Sequence, residues 1–149
     1  MDWDKVFAGA RKMGWYNCTC EIVSKDQTPK DLNALVKDLM DGIKTNLVQK
    51  NIEAVHLKAI CKTDDDFVKA ALTSTKNDVF ISDYTEKLSE KAQLTVNIRA
   101  VAPPEILSEI INNTLTQTLS KCVFTSPQGK YQSFASTDEP PVPAAVEVG

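Results

Sequence analysis

The stretch from Ala92 to Ala100 most constrains what this chain can fold into. Ala92, Leu94, Val96, Ile98 and Ala100 alternate without a break against Gln93, Thr95, Asn97 and Arg99. Successive side chains of an extended strand point to opposite faces, so the pattern predicts a strand with one side on a core and one polar side. Trp15 to Val23 repeats it: Tyr16, Cys18, Cys20 and Ile22 share one face, and Asn17, Thr19 and Glu21 the other. Ile52 to Cys61 also reads as a strand, with Val55, Leu57, Ala59 and Cys61 on the apolar face, opposite His56, Lys58 and Ile60.

Connections follow from the polar runs between these strands. Thr63-Asp64-Asp65-Asp66 predicts a turn that returns Phe67 to Thr73 antiparallel, as a hairpin. Ser74 to Glu90 reads as a long polar connection in which Val79-Phe80-Ile81 is a short edge strand. Val123-Phe124 and Tyr131 to Phe134, around Pro127-Gln128-Gly129, predict a closing hairpin.

Three segments keep helical spacing. Trp3, Val6, Phe7, Ala10 and Met13 form one stripe between a capping Asp2 and a terminating Gly14. Thr28 is expected to cap the second helix with Pro29 in its first position and Asp31 three residues on. Leu32, Leu35, Val36, Leu39, Ile43 and Leu47 are its buried stripe. Pro103-Pro104-Glu105 opens the third, which buries Ile106, Leu107, Ile110, Ile111, Leu115 and Leu119. Adjacent hairpins mixed with helices predict an α+β fold, a mostly antiparallel sheet with its helices packed on one face, in a ferredoxin-like variant. One domain is expected over residues 1–136, followed by a Pro/Ala-rich extended tail at 137–149.

Composition narrows the function classes. The chain has 149 residues, of which 42% are hydrophobic, enough for a core that needs no disulfide or metal. Its net charge of −3 and pI near 5.2 argue against a nucleic-acid binder relying on a broad basic face. The N-terminus has no secretory pattern and no run approaches a membrane span, so a cytoplasmic location is expected. Cys18, Cys20, Cys61 and Cys122 read as reduced, buried residues.

Catalytic signatures are missing. There is no G-x-x-x-x-G-K-[ST] phosphate loop, no dinucleotide-binding glycine run and no G-x-S-x-G elbow. The Cys18-x-Cys20 pair lacks the C-x-x-C spacing of structural zinc sites, and Asp64-Asp65-Asp66 lacks the glycine and distant glutamate of a calcium loop. No metal or cofactor is expected, and no catalytic residue is assigned. Polar side chains on two predicted strands remain. His56, Lys58, Asn97 and Arg99 would line one sheet face if their strands are neighbours, and they are the candidate ligand- or partner-binding residues.

A resemblance enters at these same residues. The run Val55-His56-Leu57-Lys58, then Val68-Lys69-Ala70-Ala71-Leu72-Thr73, then Leu94 to Val101 followed by Pro104-Glu105-Ile106-Leu107, resembles in order and spacing the C-terminal part of CobW-like GTP-binding proteins. Ser133-Phe134 with Pro140-Pro141-Val142-Pro143 is similar to that family's ending. The similarity covers about residues 50–145, and the family's GTPase domain and C-x-C-C segment have no counterpart. The resemblance implies a non-enzymatic accessory domain for binding or interaction, linked to metal or cobalamin trafficking. Its implied partner is a separate GTPase or a metal/corrinoid protein, and neither nucleic acid nor membrane. A homodimer is a further expectation. A reading from a different class is a small-molecule sensor or small enzyme with a sheet–helix pocket.

Overall fold

The structure is a computed structural model that describes residues 13–126 and, as backbone, 132–137. The stripe at Trp3 to Ala10 and the tail from 138 lie outside the described residues. Strand β1 (Gly14–Ser24) leads into helix α1 (Leu32–Gln49), followed by β2 (Ala54–Lys62), β3 (Phe67–Leu72), β4 (Phe80–Asp83) and β5 (Lys91–Ala100). Helix α2 (Pro104–Lys121) precedes β6 (Phe124–Thr125) and β7 (Gln132–Thr137).

All pairings are antiparallel, and the strand order is β4-β3-β2-β5-β1-β6, with β7 also on β1. Remove the β3–β4 hairpin and a β-α-β-β-α-β chain remains, in which β5 lies between β2 and β1: the ferredoxin-like arrangement with one edge extended. β6 and β7 pair with the same edge of β1 rather than with each other, which corrects the expected closing hairpin. Ser24 faces Phe124 and Thr19 faces Gln132, so the chain runs on along β1 with a change of register.

One sheet face carries the core. Tyr16, Cys18, Cys20 and Ile22 lie beside Leu94, Val96 and Ile98, and these beside Leu57, Ala59 and Cys61. Helix α1 covers the β2–β3 side with Leu35, Val36, Leu39, Met40 and Ile43, and α2 covers β1 with Leu107, Ile111 and Leu115. Apolar burial of this kind contributes roughly 25 cal/mol per Å².

Three local expectations are corrected. The cap of α1 is Asp31, whose carboxylate accepts from the Asn33 and Ala34 amides at 2.9 and 3.3 Å. Thr28 instead donates its hydroxyl to Asp26, and Lys30 pairs with Ser89 through the backbone, which holds the entering chain extended. Val55 is the extra residue of a bulge between Ala54 and His56, so Ala54 turns inward and Val55 is 47% exposed. Ile106, in the first turn of α2, lies outside the buried stripe.

Candidate functional site

The structure brings the four predicted residues together. β2 and β5 are neighbours, His56 stands opposite Arg99, and Lys58 stands opposite Asn97. All four occupy the sheet face turned away from the helices. The bulge at Val55 precedes both residues of β2, so His56 and Lys58, two apart in unbroken register, share a face.

Neighbouring strands extend the block. On β1, Trp15 faces Arg99, Asn17 faces Asn97, and Thr19 faces Thr95. On β3, Ala71 faces Lys58, Lys69 faces Ile60, and Phe67 faces Lys62. On β4, Phe80 faces Ala71 and Asp83 faces Lys69. The centre is knitted by side chains: Asn97 donates to the Asn17 amide oxygen, and the Thr19 and Thr95 hydroxyls are 3.2 Å apart. Sequence parity alone identified the four residues on β2 and β5. Trp15, Asn17, Lys69 and Phe80 were missed because only strand order makes them neighbours.

Arg99, Lys58 and Lys69 form a diagonal, each one strand over and one residue pair along from the last. Such diagonal neighbours lie about 7–8 Å apart. No carboxylate stands among the face residues of the three pair rows that hold them on β1, β5, β2 and β3. The nearest acids in register are Glu21, beside Gln93, and Asp83, beside Lys69 at the sheet edge. Partial burial holds the His56 imidazole below its ordinary pKa, and the charges of Lys58 and Arg99 push it further down. Among the described residues no helix or strand packs over this face, and Phe80 at its edge is 66% exposed.

Other features have structural explanations. A cleft of about 860 Å³ lies at the loop end of the sheet, lined by Glu21, Val23, Lys62, Lys87, Leu88 and Lys91 among others; it does not lie between sheet and helices. The acidic turn is bonded within the fold: Asp65 meets Lys87 at 2.7 Å, and Asp66 accepts from Thr85 Oγ1 at 2.8 Å and from two backbone amides. Among the described residues no three His, Cys, Asp or Glu side chains are placed to hold a metal. All four cysteines are free thiols. Burial pushes Cys18 up to about 11, and Cys20 and Cys61 up to about 12, far from the thiolate a metal requires.

No family model matches the chain, and no curated protein matches it. Among solved structures it is similar to a hydantoinase/carbamoylase family amidase from Burkholderia ambifaria, with a TM-score of 0.43 and 9% identity. The match covers 89% of this chain and 30% of that one.

Proposed function

We propose that this chain is a non-enzymatic interaction domain that receives a partner on the sheet face carrying His56, Lys58, Asn97 and Arg99, and that it works in the reducing cytoplasm. The observation that supports this reading is the convergence of those four polar side chains on a sheet face over which, among the described residues, no helix or strand packs, while the other face is filled. A flat polar face with a protruding aromatic rim suits a protein surface better than a small molecule, which takes a concave site. The interface between sheet and helices is packed with side chains that are 0–8% exposed, which disfavours the sensor or enzyme reading that needs a pocket there. Free, buried thiols suit a reducing compartment, and no helix among the described residues is long and apolar enough to cross a membrane. The partner we propose is a separate GTPase or a metal/corrinoid protein; that choice rests on the CobW-like motifs, whose polar residues are those on this face.

A photo-crosslinking amino acid at Thr95, in the middle of the face, tests the proposal against one at Asn113 on the outer side of α2. Incubated with lysate of the source cells, the Thr95 protein is expected to give a discrete adduct that is lost on Arg99→Glu. A thermal shift with a corrinoid, nucleotide or divalent metal that survives Arg99→Glu would instead favour a small-molecule site and overturn the reading.

A further inference from the structure

The fold accounts for the walls of the loop-end cleft but not for the side chains on its floor, and from these we propose that the cleft binds a short peptide with both ends free. The floor is the loop end of the sheet face turned away from the helices. There Glu21 stands opposite Gln93 and Gln93 opposite Lys62, while Lys91, two residues before Gln93 on β5, stands opposite Val23. Glu21, Gln93, Lys62 and Lys91 are exposed, and among the described residues their side chains enter no hydrogen bond or ion pair. One carboxylate, one amide and two ammonium groups thus border a concavity of about 860 Å³, and none of them bonds within the described fold. Small-ligand sites have volumes of roughly 300–1,000 Å³. The proposal goes beyond the interaction reading above and does not depend on it.

The spacing of the charges selects the ligand. Glu21 and Lys62 lie two strands apart, about 10 Å at about 4.8 Å per strand, and Glu21 and Lys91 are diagonal neighbours about 7–8 Å apart. An extended chain spans about 3.3–3.6 Å per residue, so a peptide of about two or three residues carries an ammonium and a carboxylate over that distance. A single amino acid, with both charges on one carbon, does not. Lys62 and Lys91 are diagonal neighbours across β2 and β5, so both ammonium groups can meet one terminal carboxylate while Glu21 meets the amino end. Between them the Gln93 amide, donor and acceptor at once, matches a peptide bond. Half-buried Val23 and exposed Leu88 offer apolar surface to a side chain of the ligand. Asp64 and Glu90 also line the cleft, so it is no track for a polyanion. The walls are fixed before the ligand arrives, which lowers the cost of binding. Lys87 reaches Asp65 of the hairpin turn at 2.7 Å, Ser89 and Lys30 exchange backbone bonds of 2.8 and 2.9 Å, and the Ser24 amide donates to the Glu90 carbonyl at 2.6 Å.

Titration of the ¹⁵N-labelled protein with trialanine tests this, beside N-acetyl-trialanine, trialanine amide, inorganic phosphate and putrescine. Trialanine should give saturable shifts centred on the amides of Glu21, Lys62, Lys91 and Gln93. Each end-blocked peptide should bind about threefold or more weaker, the scale of one exposed ion pair. Glu21→Gln should weaken trialanine by a similar factor and leave N-acetyl-trialanine unchanged. The double variant Lys62→Met, Lys91→Met should weaken trialanine and leave trialanine amide unchanged. All three side chains are exposed, and unchanged circular dichroism shows that the variants are folded. No saturable shift with trialanine, shifts centred outside the cleft, or equal affinity for free and blocked peptides would overturn the proposal. Phosphate or putrescine binding as tightly as trialanine would overturn it in favour of a site for a single charge. A variant that weakens free and blocked peptides alike would remove its residue from the recognition of a terminus and overturn the assignment.

Discussion

Gly42, in the middle of α1, allows a quantitative test of how the two helices pack. A Cβ at this position would lie 2.9 Å from Cγ2 of Thr114 on α2. Thr114 is 3% exposed, and its hydroxyl accepts from Asn46 Nδ2 at 3.1 Å, so it cannot turn its methyl away without losing that bond. Alanine is favoured over glycine inside a helix by about 1 kcal/mol. Ordinary carbon–carbon contact needs about 3.5–4.0 Å, and forcing a methyl into a packed site costs about 1–3 kcal/mol. Gly42→Ala is therefore expected to be neutral or destabilising by up to about 2 kcal/mol despite its better helix propensity. Thr114→Ser removes the opposing methyl while keeping the hydroxyl, at about 0.8 kcal/mol for the lost burial. In that background Gly42→Ala should stabilise by about 1 kcal/mol, roughly 3 °C in Tm for a chain of this size. Urea denaturation of the four proteins gives the coupling directly, expected at about 1–3 kcal/mol in favour of the pair. A full stabilisation of about 1 kcal/mol by Gly42→Ala alone, with no coupling to Thr114→Ser, would refute the reasoning.

The remaining predictions address the cap, the site and the thiols. Asp31→Ala should cost about 1 kcal/mol in thermal unfolding, and Thr28→Ala should leave the helix cap intact because Thr28 bonds Asp26; the opposite ranking would contradict this cap. His56 should titrate below 6.5 by NMR, and Lys58→Met should move it upward; a wild-type value at or above 6.5 would remove the cation block as its cause. Because its folded pKa is depressed, the unfolded chain binds the proton more readily, so His56 costs no stability above about pH 6.5 and destabilises the fold as pH falls below that value. Native protein at pH 8 should take up iodoacetamide at Cys122 alone, with Cys18, Cys20 and Cys61 labelled only after unfolding; rapid native labelling of any of the three would show that the sheet–helix layer opens.

How legible the molecule is from sequence depends on the range of the forces involved. The alternation in Gly14–Ser24 and Lys91–Ala100 is a local record of one-sided burial, and both strands and their faces follow from it. The start of α1 reads one turn too early because Thr28 and Pro29 satisfy the local rules for a helix entry. Asp26, two residues away, takes the Thr28 hydroxyl, and Ser89 holds Lys30 from outside any sequence window. Val55 misleads for the same reason: a bulge is set by the pairing of β2 with β5 and has no mark in apolar periodicity. The site divides likewise. Parity puts His56 and Lys58 on one side of β2 and Asn97 and Arg99 on one side of β5, whereas only the pairing of β2 with β5 makes those sides one face and only the pairing of β3 with β2 brings Lys69 beside them.

The position of β1 also bears on how the chain folds. β1 is an interior strand of the sheet, yet its pairings reach far along the chain: Thr19 meets Thr95 across 76 residues, and Gly14 meets Thr137. The β2–β3 and β3–β4 hairpins close over short loops, so that side of the sheet can form while β1 has no partner. Closing long loops before their contacts form costs entropy and slows folding into the millisecond-to-second range. During synthesis β1 emerges before β5 and waits for it, exposing Tyr16, Cys18, Cys20 and Ile22 until β5 and the helices arrive. The residues that knit the finished sheet together are thus those most open to wrong pairing while it is being made.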